Sequence, residues 1–180
     1  LRKDRGLPID KKIVLFIVDE FSRKNKGYDL LLSSIEKLDD QDDMIFIFIG
    51  DNLVGAPQIK NFKYYPFVES SIELAKIYSL SDITVIPSRY ETFSLIAAES
   101  MSCGTPVLAF NAAGQKERII HEVDGYLAEP YSADSFARGI TYCLDINNHG
   151  RLSKNCEQKA TNEYGLDVMF QAYYEVYEEM

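Results

Sequence analysis

Cysteine is scarce and poorly spaced for a structural role. Cys103, Cys143 and Cys156 are odd in number, form no Cys-x-x-Cys pair and sit among helix-like or core-like neighbours. That pattern suggests neither a disulfide framework nor a zinc site, and it fits a reducing cytoplasm. Basic charge is also short: 19 Lys and Arg stand against 28 Asp and Glu, a net charge of −9. A nucleic-acid or anionic-membrane surface needs a net basic face, so both are disfavoured and soluble small-molecule chemistry fits better. No apolar run approaches the length of a membrane span and no signal peptide precedes the first strand, although a fragment could have lost either. No Gly-x-Gly-x-x-Gly follows that strand, which argues against dinucleotide binding, and there is no internal repeat or low-complexity segment.

What is present is enough for one globular domain over residues 1–180, with 46% hydrophobic and 26% charged residues. Three segments, 13–18, 44–49 and 83–86, are apolar throughout. Strands without polar alternation are buried on both faces, as in a parallel sheet covered by helices. Between the first two, Leu30, Leu31, Leu32, Ile35 and Leu38 form a helical stripe, completing a β-α-β unit. The fold class expected is α/β, a Rossmann-like three-layer domain with a mostly parallel sheet. Residues 1–12 read as a polar, basic linker. Segment 62–67 is a further strand whose Pro66 suggests an edge or a termination, and Ser70-Ser71-Ile72-Glu73 carries a capping-box pattern. Segments 107–110 and 125–128 are short strands, and Ser132 caps a helix through Phe136, Ile140 and Leu144. The tail has helical spacing at Val168, Met169, Ala172, Tyr173, Val176 and Tyr177, an aromatic face that reads as core more readily than as a binding surface.

The densest chemistry lies in 87–107. From Leu95 to Met101 the residues are apolar or small all round except for Glu99, which predicts a helix buried on most sides with a carboxylate inside it. Such a carboxylate needs partners. Glu91 lies eight residues earlier, at the expected helix start. The two acids would then sit about 80° apart around the axis and about two turns apart along it, flanking one ligand. The amides of Thr92, Phe93, Ser94 and Leu95 would fall in the first turn, unpaired and at the positive end of the helix dipole, an anion site suited to phosphate. Glu99 would accept hydrogen bonds from a vicinal diol such as a ribose, and together these describe a nucleoside diphosphate. The plainer alternatives are that Glu99 pairs with an internal Lys or Arg and that Glu91 is an ordinary helix-start acid.

The loop after the first strand, 19–27, lies at the ligand edge of a parallel sheet and concentrates three cations in four residues. Arg23 and Lys26 could hold a diphosphate opposite the helix, or the loop could simply be solvated. Gly50 ends the second strand at the same edge, where lack of a side chain would admit a ligand to the backbone. Gly114 lies in a small-residue turn at that edge, and Glu117 in the first turn of a short helix running through Ile120 is either a site residue or a helix-start acid. The acidic run 39–43 precedes the second strand, at the opposite edge, and reads as a solvated loop in preference to a Mg²⁺ or Mn²⁺ site. His121 reads as solvated in preference to a general base.

Proline-serine at 87–88, Glu91-x7-Glu99, the run Cys103-Gly104-Thr105-Pro106-Val107, then Gly114, Glu117 and Asp124-Gly125-Tyr126-Leu127 follow in a particular order. In that order they resemble the signature of the retaining glycosyltransferases of the GT-B fold, the glycosyl transferases group 1 or family 4 type. The resemblance implies that Glu99 binds the nucleotide ribose and that Glu91 lies near the donor sugar and its phosphates. It also implies a Lys-Gly pair matching Lys26-Gly27, and a glutamate matching Glu117 close to the donor sugar or the domain cleft. Glu91, Lys26 and Arg23 are then the expected catalytic residues, with Glu99, Thr92, Phe93, Ser94, Leu95, Gly27, Gly50, Gly114 and Glu117 binding the nucleotide sugar. The family has an arginine five or six residues before the lysine; here those positions hold Phe21 and Glu20, and Arg23 is the substitute.

The chain begins at Leu1 and its start resembles the entry to the second half of such an enzyme, so it is expected to be the donor-binding domain, cut from an N-terminal acceptor domain. The final helix would cross onto that missing domain and leave part of its face uncovered in a fragment. The implied partners are a nucleotide-diphosphate sugar and an acceptor sugar or lipid-linked glycan, with no nucleic acid, no cofactor and no metal. The implied role is surface glycan or polysaccharide synthesis, in the cytoplasm or peripherally at the inner membrane face. A nucleotide-sugar epimerase of the same plan and a degenerate nucleotide-binding domain are the alternatives. A phosphorylase would need a pyridoxal-phosphate lysine motif, which is missing.

Overall fold

The computed structural model describes residues 1–39, 41–53 and 59–178. Six parallel strands form one sheet: β1 (Lys12–Glu20), β2 (Met44–Asp51), β3 (Phe62–Tyr65), β4 (Ile83–Ile86), β5 (Val107–Phe110) and β6 (Gly125–Ala128). Their order is β3-β2-β1-β4-β5-β6, so the direction of winding reverses between β1 and β4. Ligand crevices open beyond the carboxyl ends of strands at such a switch point, because the loops leaving the two central strands diverge there.

The apolar strands are buried on both faces as the missing alternation predicts. Val14 and Phe16 pack into one core with Leu31 and Ile35 of α1 (Tyr28–Ile35) and with Phe136 and Ile140 of α5 (Ala133–Leu144). Ile13 and Leu15, pointing the other way, meet Ile77 and Tyr78 of α2 (Ser71–Leu80). Ala97 and Met101 of α3 (Leu95–Ser102) pack with Val107, Ala109 and Cys156 of α6 (Ile146–Glu163). Each fully buried Phe, Ile or Leu contributes about 1.5–3 kcal/mol. The short α4 (Gln115–Arg118) and the terminal α7 (Leu166–Glu178) complete the chain. Ser70 and Ser132 cap α2 and α5 by accepting from the amides of Glu73 and Ser135. Glu73 does not close the capping box: its carboxylate goes to Lys76 and Arg5.

Three sequence expectations change. The segment before β1 is packed in place of a free linker, because Leu7 is buried and Arg2 donates to Leu80 O, Lys11 O and Asp82. The short helix α4 ends at Arg118, and Ile119 is already extended. The aromatic face of α7 is not core: no residue of that helix is buried, and Phe170 and Tyr173 are 70% and 62% exposed. Among the described residues, nothing buries its apolar side chains. Of the acidic run 39–43, Asp40 lies outside the described residues, and Asp42 pairs with Lys60 ahead of β2, away from the crevice. Among the described residues no helix is long and apolar enough to cross a membrane, and no group of three or more His, Cys, Asp or Glu is arranged to hold a metal ion.

Candidate functional site

The loop 87–94 leaves β4 at the switch point and is held from three sides. Arg89 N donates to Asn25 O at 2.8 Å, joining it to the loop after β1. Gly27 makes that approach possible: a Cβ there would lie 1.9 Å from Pro87 O. On the far side Gly114 N donates to Glu91 O at 3.0 Å, and a Cβ on Gly114 would lie 1.9 Å from Thr92 O. Beneath, the fully buried Gln115 donates from Nε2 to Ser88 O at 3.2 Å, and its Oε1 has no partner. The Arg89 guanidinium forks onto both oxygens of Asp29, holding that carboxyl below its usual range, and Tyr131 Oη donates to Arg89 O.

The helix expected from Glu91 begins four residues later. Ser94 is the N-cap of α3 with φ 54°, a left-handed backbone, and this kink keeps Glu91, Thr92 and Phe93 in the loop. The supposed 80° relation of Glu91 to Glu99 on one helix is therefore lost. The amide array itself survives in another form. Among the described residues, the N–H groups of Thr92, Phe93, Ser94, Leu95 and Ile96 have no acceptor. These residues line a cavity of about 290 Å³ with Lys26 and Glu91. Ser94 is 6% exposed, and its hydroxyl is buried without a partner. A left-handed serine costs about 1–3 kcal/mol, and such strain tends to persist where surrounding structure over-determines it, often at functional sites. Lys26 Nζ reaches Glu91 Oε1 at 2.8 Å, and Ser88 Oγ donates to the same oxygen at 2.9 Å.

Glu99 is not buried. Only Ala97, Ser100 and Met101 of α3 face the core; Leu95 is 66% exposed and Glu99 stands on the same open face. Apolar and small residues run all round this helix in sequence, but Leu95 and Ala98 each line a cavity in place of a second core. Glu99 accepts from Tyr78 Oη at 2.9 Å, and among the described residues it has no cation partner, which removes the internal ion-pair alternative. Burial and the Glu99 charge push the Tyr78 phenol far above its ordinary value, so it stays a neutral donor. Both line a second cavity of about 330 Å³ between α2 and α3, whose wall includes Cys103 and Tyr164. The Cys103 thiol is pushed up by burial, and Tyr164 Oη is buried without a partner.

Arg118, which sequence reasoning passed over, lies between an aromatic ring from each lining: its guanidinium is 3.4 Å from the Phe93 ring centroid and 5.2 Å from that of Tyr164. Ser88, Gln115 and Tyr78 were also missed as parts of the site. No local signal marks Gln115 or Tyr78, since a buried glutamine or tyrosine acquires its role from what folds against it; Ser88 stood in the proline-serine motif, but its bond to Glu91 did not show there. Arg23 does not join Lys26. It pairs with Asp19 at 2.6 Å and Glu20 at 3.6 Å and lines a separate cavity with Phe21, Tyr28 and Arg89, because the turn Lys24–Lys26 points the two side chains apart. Gly50 opens no path to the backbone either: a Cβ there would lie 2.2 Å from Val18 O, so the missing side chain serves packing. Glu117 is exposed on α4. His121 accepts from Leu127 N at Nδ1 and meets the Tyr126 ring edge-on, a support for β6.

Residues 1–163 match the family model described as Glycosyl transferases group 1. The D-inositol 3-phosphate glycosyltransferase of Xylanimonas cellulosilytica is 27% identical over 98% of this chain and 44% of its own length. Sucrose-phosphate synthase from Thermosynechococcus elongatus superposes with a TM-score of 0.81 at 26% identity, over 99% of this chain and 49% of that one. Anabaena HepE, solved in complex with UDP-glucose, gives 0.81 at 21% identity over 99% and 51%. This chain thus spans about half the length of the proteins it matches. Sheet order, crevice and motif sequence agree with that match over nearly the whole chain, which belongs to the glycosyl transferases group 1 family.

Proposed function

We propose that this chain is the donor-binding domain of a retaining glycosyltransferase that moves a sugar from a nucleotide-diphosphate sugar to an acceptor in surface glycan or polysaccharide synthesis. The observation that carries the proposal is the cavity at the head of α3. The residues that line it bring five unpaired amides, a buried unpartnered hydroxyl and Lys26, a donor set matched to phosphate oxygens. Cleaving the bond between the sugar and the diphosphate develops negative charge on the leaving phosphate, and preorganised donors aimed at that charge lower the barrier. Next along α3, Glu99 presents a carboxylate to a space open enough for a ribose, with Tyr78 holding its other side. In this reading Glu91 lies near the donor sugar and its phosphates. Arg23 takes no part in phosphate contact here.

An acceptor-binding domain completes the enzyme in this proposal. Two observations support it: the chain spans about half of its relatives, and the apolar face of α7 is uncovered. The 180 residues alone then bind donor without transferring sugar, since acceptor alignment supplies much of the rate.

A thermal-shift screen with UDP, GDP, ADP and their sugar conjugates tests the donor site. One of them should stabilise the chain by about 2.7 kcal/mol at a hundredfold excess over its dissociation constant. Glu99→Gln should leave stability nearly unchanged and cost about 1.5–3 kcal/mol of nucleotide affinity, with deoxyribose analogues indifferent to the change. No stabilisation by any nucleoside diphosphate at millimolar concentration would overturn the proposal.

A further inference from the structure

The lining of the phosphate cavity contains one cation, Lys26, and one carboxylate, Glu91, and they already bind each other. The carboxylate does not serve the amide array: none of the five N–H groups donates to it. Its Oε1 takes Lys26 and Ser88 together, while Oε2 has no protein donor among the described residues. Both side chains are largely withdrawn from water, at 19% and 16% exposure, so their mutual attraction is screened less than that of a surface pair.

From this geometry we infer that Glu91 is an internal competitor for Lys26: it holds the lysine in the empty site, yields it when a diphosphate enters, and takes it back as the diphosphate leaves. The inference rests on the phosphate reading of this cavity and gives Glu91 a role in product release. An incoming phosphate meets a lining with no net charge, so its pull comes from the amides and the Ser94 hydroxyl until Lys26 changes partner. Once Lys26 has moved, Glu91 keeps Ser88 as a donor but faces the phosphate as a like charge, and this repulsion favours departure. The ammonium has three donors and a flexible stem, which makes the exchange a side-chain motion without backbone rearrangement.

Inorganic pyrophosphate is the probe, titrated calorimetrically into the chain, into Glu91→Gln, into Lys26→Met and into the double variant. Glu91→Gln should bind pyrophosphate about tenfold more tightly, chiefly because Lys26 no longer has to leave a carboxylate at 2.8 Å before it can meet the phosphate. The gain should appear mainly as slower dissociation. In the Lys26→Met background the same substitution should gain less than about threefold, since there is no lysine left to contest. Glu91→Ala should change affinity in the same direction as Glu91→Gln, and melting curves identify any variant that fails to fold. Equal or weaker binding by the folded Glu91 variants would overturn the inference, as would an equal gain with and without Lys26, or no binding by any form. Nucleoside diphosphates that bind wild type and Glu91→Gln alike would sink the competition and leave the donor-site proposal standing. Pyrophosphate behaving as described, with no nucleoside diphosphate binding, would do the reverse.

Discussion

Two lysines reach a carboxylate at nearly the same distance, 2.8 Å for Lys26–Glu91 and 3.0 Å for Lys159–Asp124, yet their surroundings differ in every other respect. Lys159 and Asp124 have side chains only 8% and 2% exposed. Asp124 Oδ1 also accepts from Ile120 N at 2.8 Å, Lys159 also donates to Arg118 O, and Cys156 Sγ donates to Asp124 O. These bonds tie α6 to the turn that feeds β6. Lys26 and Glu91 instead stand at the wall of a cavity beside amides that have no acceptor. The first pair is closed, with protein partners on both oxygens of the acid. The second is open, with spare donor capacity directed at a space. Distance alone would not separate a structural ion pair from a functional one; the completeness of the hydrogen bonding around it does.

The sharpest way to break this comparison is Lys159→Met, which leaves Asp124 charged in a dry site. It should cost about 3–5 kcal/mol of stability by urea denaturation, because the partner's desolvation is no longer offset. A loss under about 1 kcal/mol would show that water reaches this pair and that the two lysines are alike. Lys26→Met should have the opposite profile. Nucleoside diphosphate affinity should fall by about 1.5–3 kcal/mol, that of the bare nucleoside should hold, and the stability loss should be well below that of Lys159→Met. Equal losses for diphosphate and nucleoside would remove Lys26 from the phosphate site. At the small end, Arg23→Ala should change both stability and diphosphate affinity by less than about 0.5 kcal/mol, since its ion pairs are half-exposed and lie outside the cavity. A loss of affinity comparable to that of Lys26→Met would return Arg23 to the site.

Strand identity and the parallel sheet were legible because fully buried strands must be apolar on both faces, and β1, β2 and β4 are. The caps at Ser70 and Ser132 were legible because a cap is a bond within four residues. The start of α3 was not. Glu91 four residues upstream of Leu95 looks like a helix-start acid, and what holds the segment as a loop is docking from elsewhere, by Asn25 and Gly27 on one side and by Gly114 and Gln115 on the other. The exposure of Glu99 was hidden for a related reason. Small apolar neighbours describe a helix face that is covered, whether by core or by ligand space, and composition does not say which.

The sequence by itself determined that this is a parallel α/β domain of the group 1 glycosyl transferase family, and that an acid pair, a Lys-Gly and a small-residue turn share one edge of the sheet. Those are local patterns and their order, which survive without knowing any distance. Tertiary structure decided the rest: that Lys26 meets Glu91, that Arg23 turns away, that Glu99 looks into open space beside Tyr78, and that five amides stay unpaired. Each of these depends on loops from β1, β4 and β5 arriving together at the switch point. Contacts between residues 65 or 27 positions apart are set by how the layers pack, which no short stretch of chain encodes.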